Sequence, residues 1–252
     1  MSLKEDLRLE PGQMTALIGA GGKTTTLFWL AKELRDDGGK VLVTTTTKIF
    51  KPAKPHVDRL FLVQDAEAFQ AEAAKIAAPA IIGAGYSVDD EGKLSGLPSA
   101  WLDQLQQSSQ FDAILVEADG AASRLFKVPS EIEPVVPKSC AMVIWVMAIK
   151  VLGKLLNTDS IHRPERAIAL LGISQTTQLT KEHILQLVKD PLGCLKGVPA
   201  HCRKVALLNQ ADSPGEIETA KELARDLVRL GFERVLITSY LTDHPVKAVT
   251  TN

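Results

Sequence analysis

Short apolar runs alternate with amphipathic stretches along most of this chain, which predicts alternating strands and helices. Most runs are continuous, without polar residues at every second position, as is typical of strands covered by helices on both faces. The repeated order of strand and helix favours a three-layer, doubly wound α/β fold with a mostly parallel sheet. The predicted strands are residues 14–18, 41–43, 60–63, 114–116, 141–147, 205–208 and 235–238.

Two helices have clear sequence signals at their ends. Leu27, Leu30 and Leu34 lie on one stripe, and Asp37-Gly38-Gly39 predicts where that helix stops, because glycine readily adopts the left-handed cap. Near the other end of the chain, Ser213-Pro214-Gly215-Glu216 predicts a capping box with proline at the first helical position. Both signals support helices that pack against the predicted sheet.

Two segments depart from the strand and helix order. Residues 81–97 carry several glycines between short apolar pieces, which predicts a hairpin excursion. Residues 157–201 show helical patterns at 165–171 and 181–188 without clear strands, which predicts a small helical insertion. With no repeat or linker visible, the chain 1–252 is expected to form one domain.

The composition is that of an ordinary globular protein with no excess of either charge. Hydrophobic residues make up 45% of the 252 residues, and 29 basic side chains face 30 acidic ones for a net charge of −1. A nearly neutral chain has no general attraction to nucleic acid or to an anionic membrane, so we expect neither as a partner. Any anionic ligand must be held by a local site.

Cysteine content and the N-terminus favour a cytoplasmic location. The three cysteines, Cys140, Cys194 and Cys202, do not form a disulfide framework, which suits a reducing compartment. Residues 1–9 are charged and lack an apolar core, so we expect no signal peptide. The longest apolar run, 140–149, is about half the roughly 20 residues that a membrane-spanning helix needs, and we interpret it as a buried strand.

A glycine-rich loop separates the first predicted strand from the first long helix. Its sequence is Gly19-Ala20-Gly21-Gly22-Lys23-Thr24-Thr25. Backbone N–H groups of such a loop, helped by the helix N-terminus, bind phosphate oxygens, while Lys23 reaches the β and γ phosphates and Thr24 binds Mg²⁺. The loop is shorter than the usual pattern, and a purely structural turn is the alternative. We expect Mg²⁺ with ATP or GTP as cofactors, in a P-loop NTPase-like fold.

Two carboxylates follow the strand 114–116. In Glu117-Ala118-Asp119-Gly120 both acids come at the carboxyl end of a predicted parallel strand, where ligands bind in open α/β sheets. Glu117 and Asp119 are therefore predicted to hold Mg²⁺ and to take part in catalysis, with the division of roles left open. A solvent-exposed acidic turn is the alternative.

Two further strand ends offer polar residues for the nucleotide. Thr47 and Lys48, followed by Lys51 and Lys54, are candidates for the γ-phosphate or an anionic second substrate, with a solvated loop as the alternative. Asn209-Gln210-Ala211-Asp212 occupies the place of the N-K-x-D sequence of guanine-specific proteins, which makes Asn209 and Asp212 candidate base contacts. Since Gln210 replaces the lysine and such turns are common after strands, ATP and GTP both stay open.

Several short motifs together resemble the YqeC family, described as accessory proteins of selenium-dependent hydroxylases or as selenium cofactor biosynthesis proteins. In order, they are the loop 19–25, Thr44-Thr45-Thr46-Thr47-Lys48, Glu117-Ala118-Asp119-Gly120, Lys127-Val128-Pro129, His162-Arg163-Pro164-Glu165 and Asn209-Gln210-Ala211-Asp212. The resemblance covers nearly the whole chain. One departure is that Ala121-Ala122-Ser123 separates the acidic motif from Arg124.

The resemblance implies a Mg²⁺-dependent NTPase acting in the maturation of selenium-dependent molybdenum hydroxylases. Its implied partners are a nucleoside triphosphate and an immature molybdenum hydroxylase or its cofactor. Arg163 is a candidate for stabilising transition-state charge near the phosphates, with a solvated arginine before a helix as the alternative. Two other functions stay open: a nucleotide-gated chaperone or binding module with little turnover, and an ATP-dependent ligase, because the short loop is similar to that of Mur-type ligases.

Overall fold

The computed structural model describes residues 2–53 and 55–251, so that Lys54 lies outside the described residues. The helices in this part of the chain are α1 (Leu3–Leu7), α2 (Lys23–Asp36), α3 (Ala66–Ala74), α4 (Ser99–Gln107), α5 (Pro164–Leu171), α6 (Lys181–Lys189) and α7 (Pro214–Arg229). The strands are β1 (Met14–Gly19), β2 (Lys40–Thr45), β3 (Ile49–Phe50), β4 (Arg59–Leu62), β5 (Ala80–Gly85), β6 (Lys93–Leu94), β7 (Ala113–Glu117), β8 (Phe126–Lys127), β9 (Met142–Ala148), β10 (Ile161–His162), β11 (Arg203–Asn209), β12 (Arg234–Thr238) and β13 (Val246–Thr251).

Nine strands of the described residues form one twisted sheet in the order β13-β12-β11-β9-β1-β7-β2-β5-β4. Neighbouring strands are parallel throughout, except that β13 runs antiparallel to β12 at one edge. The strand β1 lies between β7 and β9, so the loop that follows β1 emerges at the centre of the carboxyl edge. This topology confirms the doubly wound, mostly parallel α/β fold.

Two apolar cores lie on opposite faces of this sheet. Successive residues of β1 alternate between them: Ala16 and Ile18 pack on one face and Leu17 on the other. The helices α1 and α2 cover the face of Leu17, whereas α3 to α7 supply apolar residues to the opposite core. The three-layer arrangement follows, because each face of a parallel sheet buries its apolar side chains against helices.

The sequence located most elements of the sheet to within a few residues. All seven predicted strands are present, and the helix caps form as expected: α2 ends at Asp36, and Ser213 accepts a hydrogen bond from the N–H of Glu216 in a complete capping box. Helices also occur within 165–171 and 181–188, as α5 and α6. The hydrophobic pattern did not reveal α1, α3, α4 or the edge strand β13.

The glycine-rich segment 81–97 divides into a strand and a hairpin. Its first residues belong to β5, which pairs with β2 and β4 in the main sheet, so the hairpin prediction is wrong for residues 81–85. The glycines of this strand allow close packing rather than a turn. A Cβ on Gly85, for example, would lie 2.4 Å from Cγ of Leu94. Beyond β5 the chain does fold back, with Tyr86 and Ser95 joined by a backbone hydrogen bond.

Two small ribbons, each of two strands, extend beyond the carboxyl edge of the main sheet. In the first, β3 pairs antiparallel with β6. In the second, β8 pairs parallel with β10, which connects the chain after β7 to the segment that leads into α5. Within residues 2–53 and 55–251, no helix has the length and apolar character needed to cross a membrane.

Candidate functional site

A cleft of about 520 Å³ opens at the carboxyl edge of the sheet, above β1 and β7. It brings together the loop after β1, the end of β7, both ribbons and the start of the β11 turn. The lining residues are Gly21, Gly22, Lys23, Thr24, Thr25, Lys48, Ile49, Phe50, Lys93, Glu117, Gly120, Ala121, Ala122, Ser123, Arg124, Glu133, His162, Arg163 and Gln210. Ligands of open α/β sheets bind in this position.

The loop after β1 presents a row of free backbone donors to the cleft. The N–H of Gly19 is bound by Asp119, and that of Ala20 by the carbonyl of Val146. In contrast, no acceptor in the described part of the chain binds the N–H groups of residues 21–25. These groups lie at the N-terminus of α2, where the helix dipole favours negative charge. The arrangement is suited to a polyphosphate.

Asn209 holds this loop in shape from below. Its amide donates a hydrogen bond to the carbonyl of Gly21 and accepts one from the Thr238 hydroxyl, and the residue is 4% exposed. Gly22 has φ of +135°, and a Cβ there would lie 2.1 Å from Nδ2 of Asn209. Only glycine therefore fits at this point of the loop. The side chain predicted to contact a base instead supports the loop.

Lys23 is folded back beneath the loop rather than extended into the cleft. Its Nζ donates to the carbonyl of Gly19 at 2.7 Å and lies 3.0 Å from Asp119 and 3.6 Å from Glu117. Burial by itself would lower the pKa of this ammonium, but the charges of Asp119 and Glu117 outweigh it, so the pKa lies above its ordinary value. Lys23 is thus a charged group in a site with two counter-charges.

The two predicted carboxylates occupy different positions. Glu117 lines the cleft and accepts a hydrogen bond of 2.9 Å from the Thr24 hydroxyl. Asp119 lies behind the loop, 2% exposed, bound to the N–H of Gly19. Burial raises the pKa of Glu117, and the contacts with Lys23 and Thr24 oppose that rise only in part. The geometry therefore separates a carboxylate that faces the cleft from one that fixes the loop.

The donor set fits a hard divalent cation that also binds phosphate oxygens. The Thr24 hydroxyl and the Glu117 carboxylate converge at the mouth of the loop, and both are the oxygen ligands that Mg²⁺ prefers. Within the described residues, no three His, Cys, Asp or Glu side chains come close enough to bind a metal ion alone. Mg²⁺ at this place would therefore depend on phosphate and water for its remaining ligands.

A chain of alternating charges runs from the loop to α5. Lys127, 1% exposed, lies 3.3 Å from Asp119 and 3.0 Å from Glu133, and it also donates to the carbonyl of Gly120. Glu133 also accepts from the N–H of Gly120 and from Arg163, at 3.2 Å and 2.6 Å. Burial opposes ionisation of Glu133, but Lys127, Gly120 and Arg163 lower its pKa to about 2. The network fixes the backbone directly after Asp119.

Backbone strain is concentrated around the cleft. Six non-glycine residues of the described chain have positive φ, and four of them line the cleft: Ala122, Ser123, Arg163 and Gln210. Such conformations cost of order 1–3 kcal/mol each and persist only where the surrounding structure enforces them, most often at functional sites. The strained residues and the free N–H groups of the loop therefore line the same cleft.

Other predicted residues lie nearby but contribute differently. Lys48 lines the cleft, 61% exposed in its side chain, with Asp89 at 3.1 Å. Thr47 is not in the lining; its backbone is bound by the Thr45 hydroxyl. Asp212 also lies outside the cleft, where its carboxylate is engaged by Lys150 and by Ser239. The structure thus brings together the loop, Glu117, Lys48 and Arg163, but not Thr47 or Asp212.

The cleft also contains residues to which sequence reasoning assigned no role. Phe50, Lys93, Arg124, Glu133 and His162 all line it. Burial and the charge of Arg163 lower the pKa of His162, which favours the neutral form of its ring. The one available signal was that His162, like Lys127 behind the cleft, stands in a motif of the family resemblance. The others lie in segments without a distinctive pattern.

A second, smaller depression of about 350 Å³ lies at the opposite edge of the sheet. Apolar side chains such as Leu9, Leu34 and Leu115 line it together with the ion pair of Lys4 and Asp37 and the Gly38-Gly39 turn after α2. Cys140 and Cys202 lie near this edge, and all three cysteines are buried and free. Burial raises the pKa of Cys194, as expected of a structural thiol, whereas the contact with the Cys140 side chain lowers the pKa of Cys202.

Comparison with known proteins identifies relatives of this chain. A family model described as YqeC protein matches residues 15–165, which contain the loop after β1, the end of β7 and the whole Lys127–Arg163 network. An Escherichia coli (strain K12) protein described as "Uncharacterized protein YqeC" is 33% identical over 233 residues, which cover 92% of this chain and 89% of that protein.

Proposed function

The chain belongs to the YqeC family, and from the geometry of its cleft we propose that it binds a nucleoside triphosphate with Mg²⁺ and acts as an NTPase. The observation that carries the proposal is the row of free N–H groups of residues 21–25, with the ammonium of Lys23 directly below. Few ligands other than a polyphosphate satisfy several adjacent backbone donors and a lysine together. ATP and GTP are both candidates.

Lys23 is suited to exchange partners when the ligand binds. In the structure its charge is balanced by Asp119 and Glu117. Phosphate oxygens would offer the same negative charge from the cleft side, while Asp119 keeps its bond to the N–H of Gly19 and its contact with Lys127. The loop thus keeps its support while the ammonium turns outward.

Glu117 and Thr24 are the residues that would hold Mg²⁺. The cation would supply positive charge beside the transferred phosphoryl group. Its charge would also keep Glu117 ionised, which burial otherwise opposes. Asp119 serves in this proposal as the residue that positions the loop, because it lies behind the loop rather than in the cleft.

Arg163 is the guanidinium best placed to stabilise charge during phosphoryl transfer. It lines the cleft with a side chain 29% exposed, and Glu133 orients it at 2.6 Å. A guanidinium aimed at developing charge lowers the barrier most when it is oriented in advance. We place this activity in the cytoplasm, in the maturation of selenium-dependent molybdenum hydroxylases, with an immature hydroxylase or its cofactor as the further partner.

The test is calorimetric titration with Mg-ATP, Mg-GTP and Mg-tripolyphosphate, together with phosphate release with and without an immature hydroxylase. Lys23→Ala should weaken binding on the order of 100-fold. Thr24→Val, at an exposed position, should bind nucleotide but lose most of the dependence on Mg²⁺. Lys221→Ala, on the outer face of α7, is the matched control.

The outcomes separate the alternatives. Saturating nucleotide at about 100 times its Kd should raise the free energy of unfolding by about 2.7 kcal/mol, which a thermal shift detects. Wild-type affinity and turnover in a folded Lys23→Ala variant would exclude the proposal. Tight binding without phosphate release would instead favour a nucleotide-gated binding module.

A further inference from the structure

The ribbon of β3 and β6 has two faces of different character. Ile49 pairs with Leu94, and Phe50 pairs with Lys93. Directly opposed residues of an antiparallel pair point to the same face. Ile49 and Leu94 are buried, at 9% and 1% exposure, so Phe50 and Lys93 form the outer face, and both line the cleft.

Phe50 is an exposed aromatic ring with two lysines beside it in the cleft lining. The residue is 71% exposed although it lies in the cleft lining. Lys48 and Lys93 belong to the same lining. The present partners of these lysines are the partly exposed Asp89 and the exposed Glu91. Solvent screens such exposed pairs strongly, so both ammonium groups are available to another anion.

The ribbon and the Asn209–Asp212 turn lie on opposite sides of the phosphate-binding loop. The phosphate-binding loop follows β1, and the Asn209–Asp212 turn follows β11, on the β9 side of β1. The β3–β6 ribbon is attached on the other side, where the carbonyl of Thr45 at the end of β2 accepts from the N–H of Leu97. A nucleotide extended towards Gln210 leaves the ribbon side of the cleft open.

We propose that Phe50, Lys48 and Lys93 form the subsite for a second substrate, a flat aromatic molecule that carries a phosphate or carboxylate group. The ring stacks on Phe50, and the two lysines pair with the anionic group. A nucleobase uses only part of this set, since adenine and guanine are uncharged at pH 7 and bring no anionic group to the two lysines. The inference rests on the proposed function, because it assigns the acceptor side of the same cleft.

The experiment uses 2-naphthyl phosphate as the probe, titrated by fluorescence into the full chain saturated with Mg²⁺ and a non-hydrolysable ATP or GTP analogue. Two related compounds separate the parts of the recognition: 2-naphthol lacks the charge, and glycerol phosphate lacks the ring. Each of these two compounds should bind at least about ten-fold more weakly than the probe. Phe50→Ser and Lys93→Ala should each lower the affinity for the probe by about ten-fold, while the affinity for the nucleotide analogue stays unchanged.

Leu241→Ser is the matched control, since Leu241 is 76% exposed and lies outside the cleft lining. It should leave probe affinity unchanged. Equal affinity of Phe50→Ser and wild type for the probe, absence of probe binding, or displacement of the probe by the nucleotide analogue would each overturn the proposal. Loss of nucleotide affinity in Phe50→Ser would overturn it too, by showing that Phe50 contacts the base.

The two proposals fail in different ways. If the chain binds no nucleotide, titration of 2-naphthyl phosphate into the nucleotide-free protein still reports on Phe50 and Lys93. If nucleotide binding depends on Lys23 but the probe is insensitive to Phe50, the subsite is wrong and the NTP site stands.

Discussion

The two ribbons that flank the cleft have the same size but use their lysines in opposite ways. On the β8–β10 ribbon, Lys127 is 1% exposed and fixes Gly120 and Glu133. On the β3–β6 ribbon, Lys93 lies at the surface and pairs with the exposed Glu91. A buried ammonium is costly to move because its partners would lose their counter-charge, whereas an exposed one exchanges partners freely. One ribbon therefore holds the site in place, and the other is free to bind.

The largest effect should follow from removing the buried lysine. Lys127→Met leaves Asp119 and Glu133 without their shared cation in a water-poor site, and it should lower the free energy of unfolding by about 3–5 kcal/mol. Urea unfolding at pH 7 measures the change. Lys93→Met is the matched control on the other ribbon and should leave the unfolding midpoint unchanged. Equal losses in both variants would remove the distinction between the ribbons.

A smaller effect is expected for Glu133→Gln. The amide keeps the shape of the side chain but weakens the hydrogen bonds from Gly120, Lys127 and Arg163, so the free energy of unfolding should fall by about 2 kcal/mol at pH 7.

The stabilisation by Glu133 should depend on pH in a definite direction. The pKa of Glu133 is about 2 in the folded protein and near 4.5 when unfolded, so its ionised form stabilises the fold above about pH 4.5. That contribution is lost as the pH falls towards 2, because the unfolded chain takes up the proton first. The difference between wild type and Glu133→Gln should therefore shrink from pH 5 to pH 2.5. A constant difference over that range would show that Glu133 is not the titrating group.

The smallest effect on stability should come from Phe50→Ser. With a side chain that is 71% exposed, the substitution removes little buried apolar area and should change the free energy of unfolding by less than about 0.5 kcal/mol. Leu94→Ala, on the buried face of the same ribbon, should cost about 2–4 kcal/mol by leaving a cavity. A destabilisation of Phe50→Ser similar to that of Leu94→Ala would mean that the ring is structural, not free for a ligand.

The glycine-rich loop was predictable because the sequence features that mark it are local. The end of β1, the glycines and the start of α2 lie within a few residues of one another, and hydrophobic periodicity identifies both flanking elements. The strand end at Glu117 was found for the same reason. In contrast, β5 was partly missed, because Val57 and Leu60, which pack against Gly83, come from an earlier segment that only the fold brings close.

The roles of individual side chains depended on contacts between distant segments. Asn209 lies 188 residues from Gly21, whose carbonyl it binds, and Asp119 lies 100 residues from Gly19. From sequence alone, Asp119 and Glu117 were equivalent acids after one strand. Only the packing of β7 beside β1 shows that one faces the loop from behind and the other faces the cleft.

The sequence by itself determined seven strands of the main sheet, the place of the glycine-rich loop and the two acids at the carboxyl end of β7, since propensity and periodicity act over a few residues. The tertiary structure decided which charges are buried together, that Lys127 is buried while Lys93 lies at the surface, and where Phe50 lies. Those properties depend on burial and on distances between segments far apart in the chain, and the electrostatic energy of a charge changes severalfold with its exposure to water.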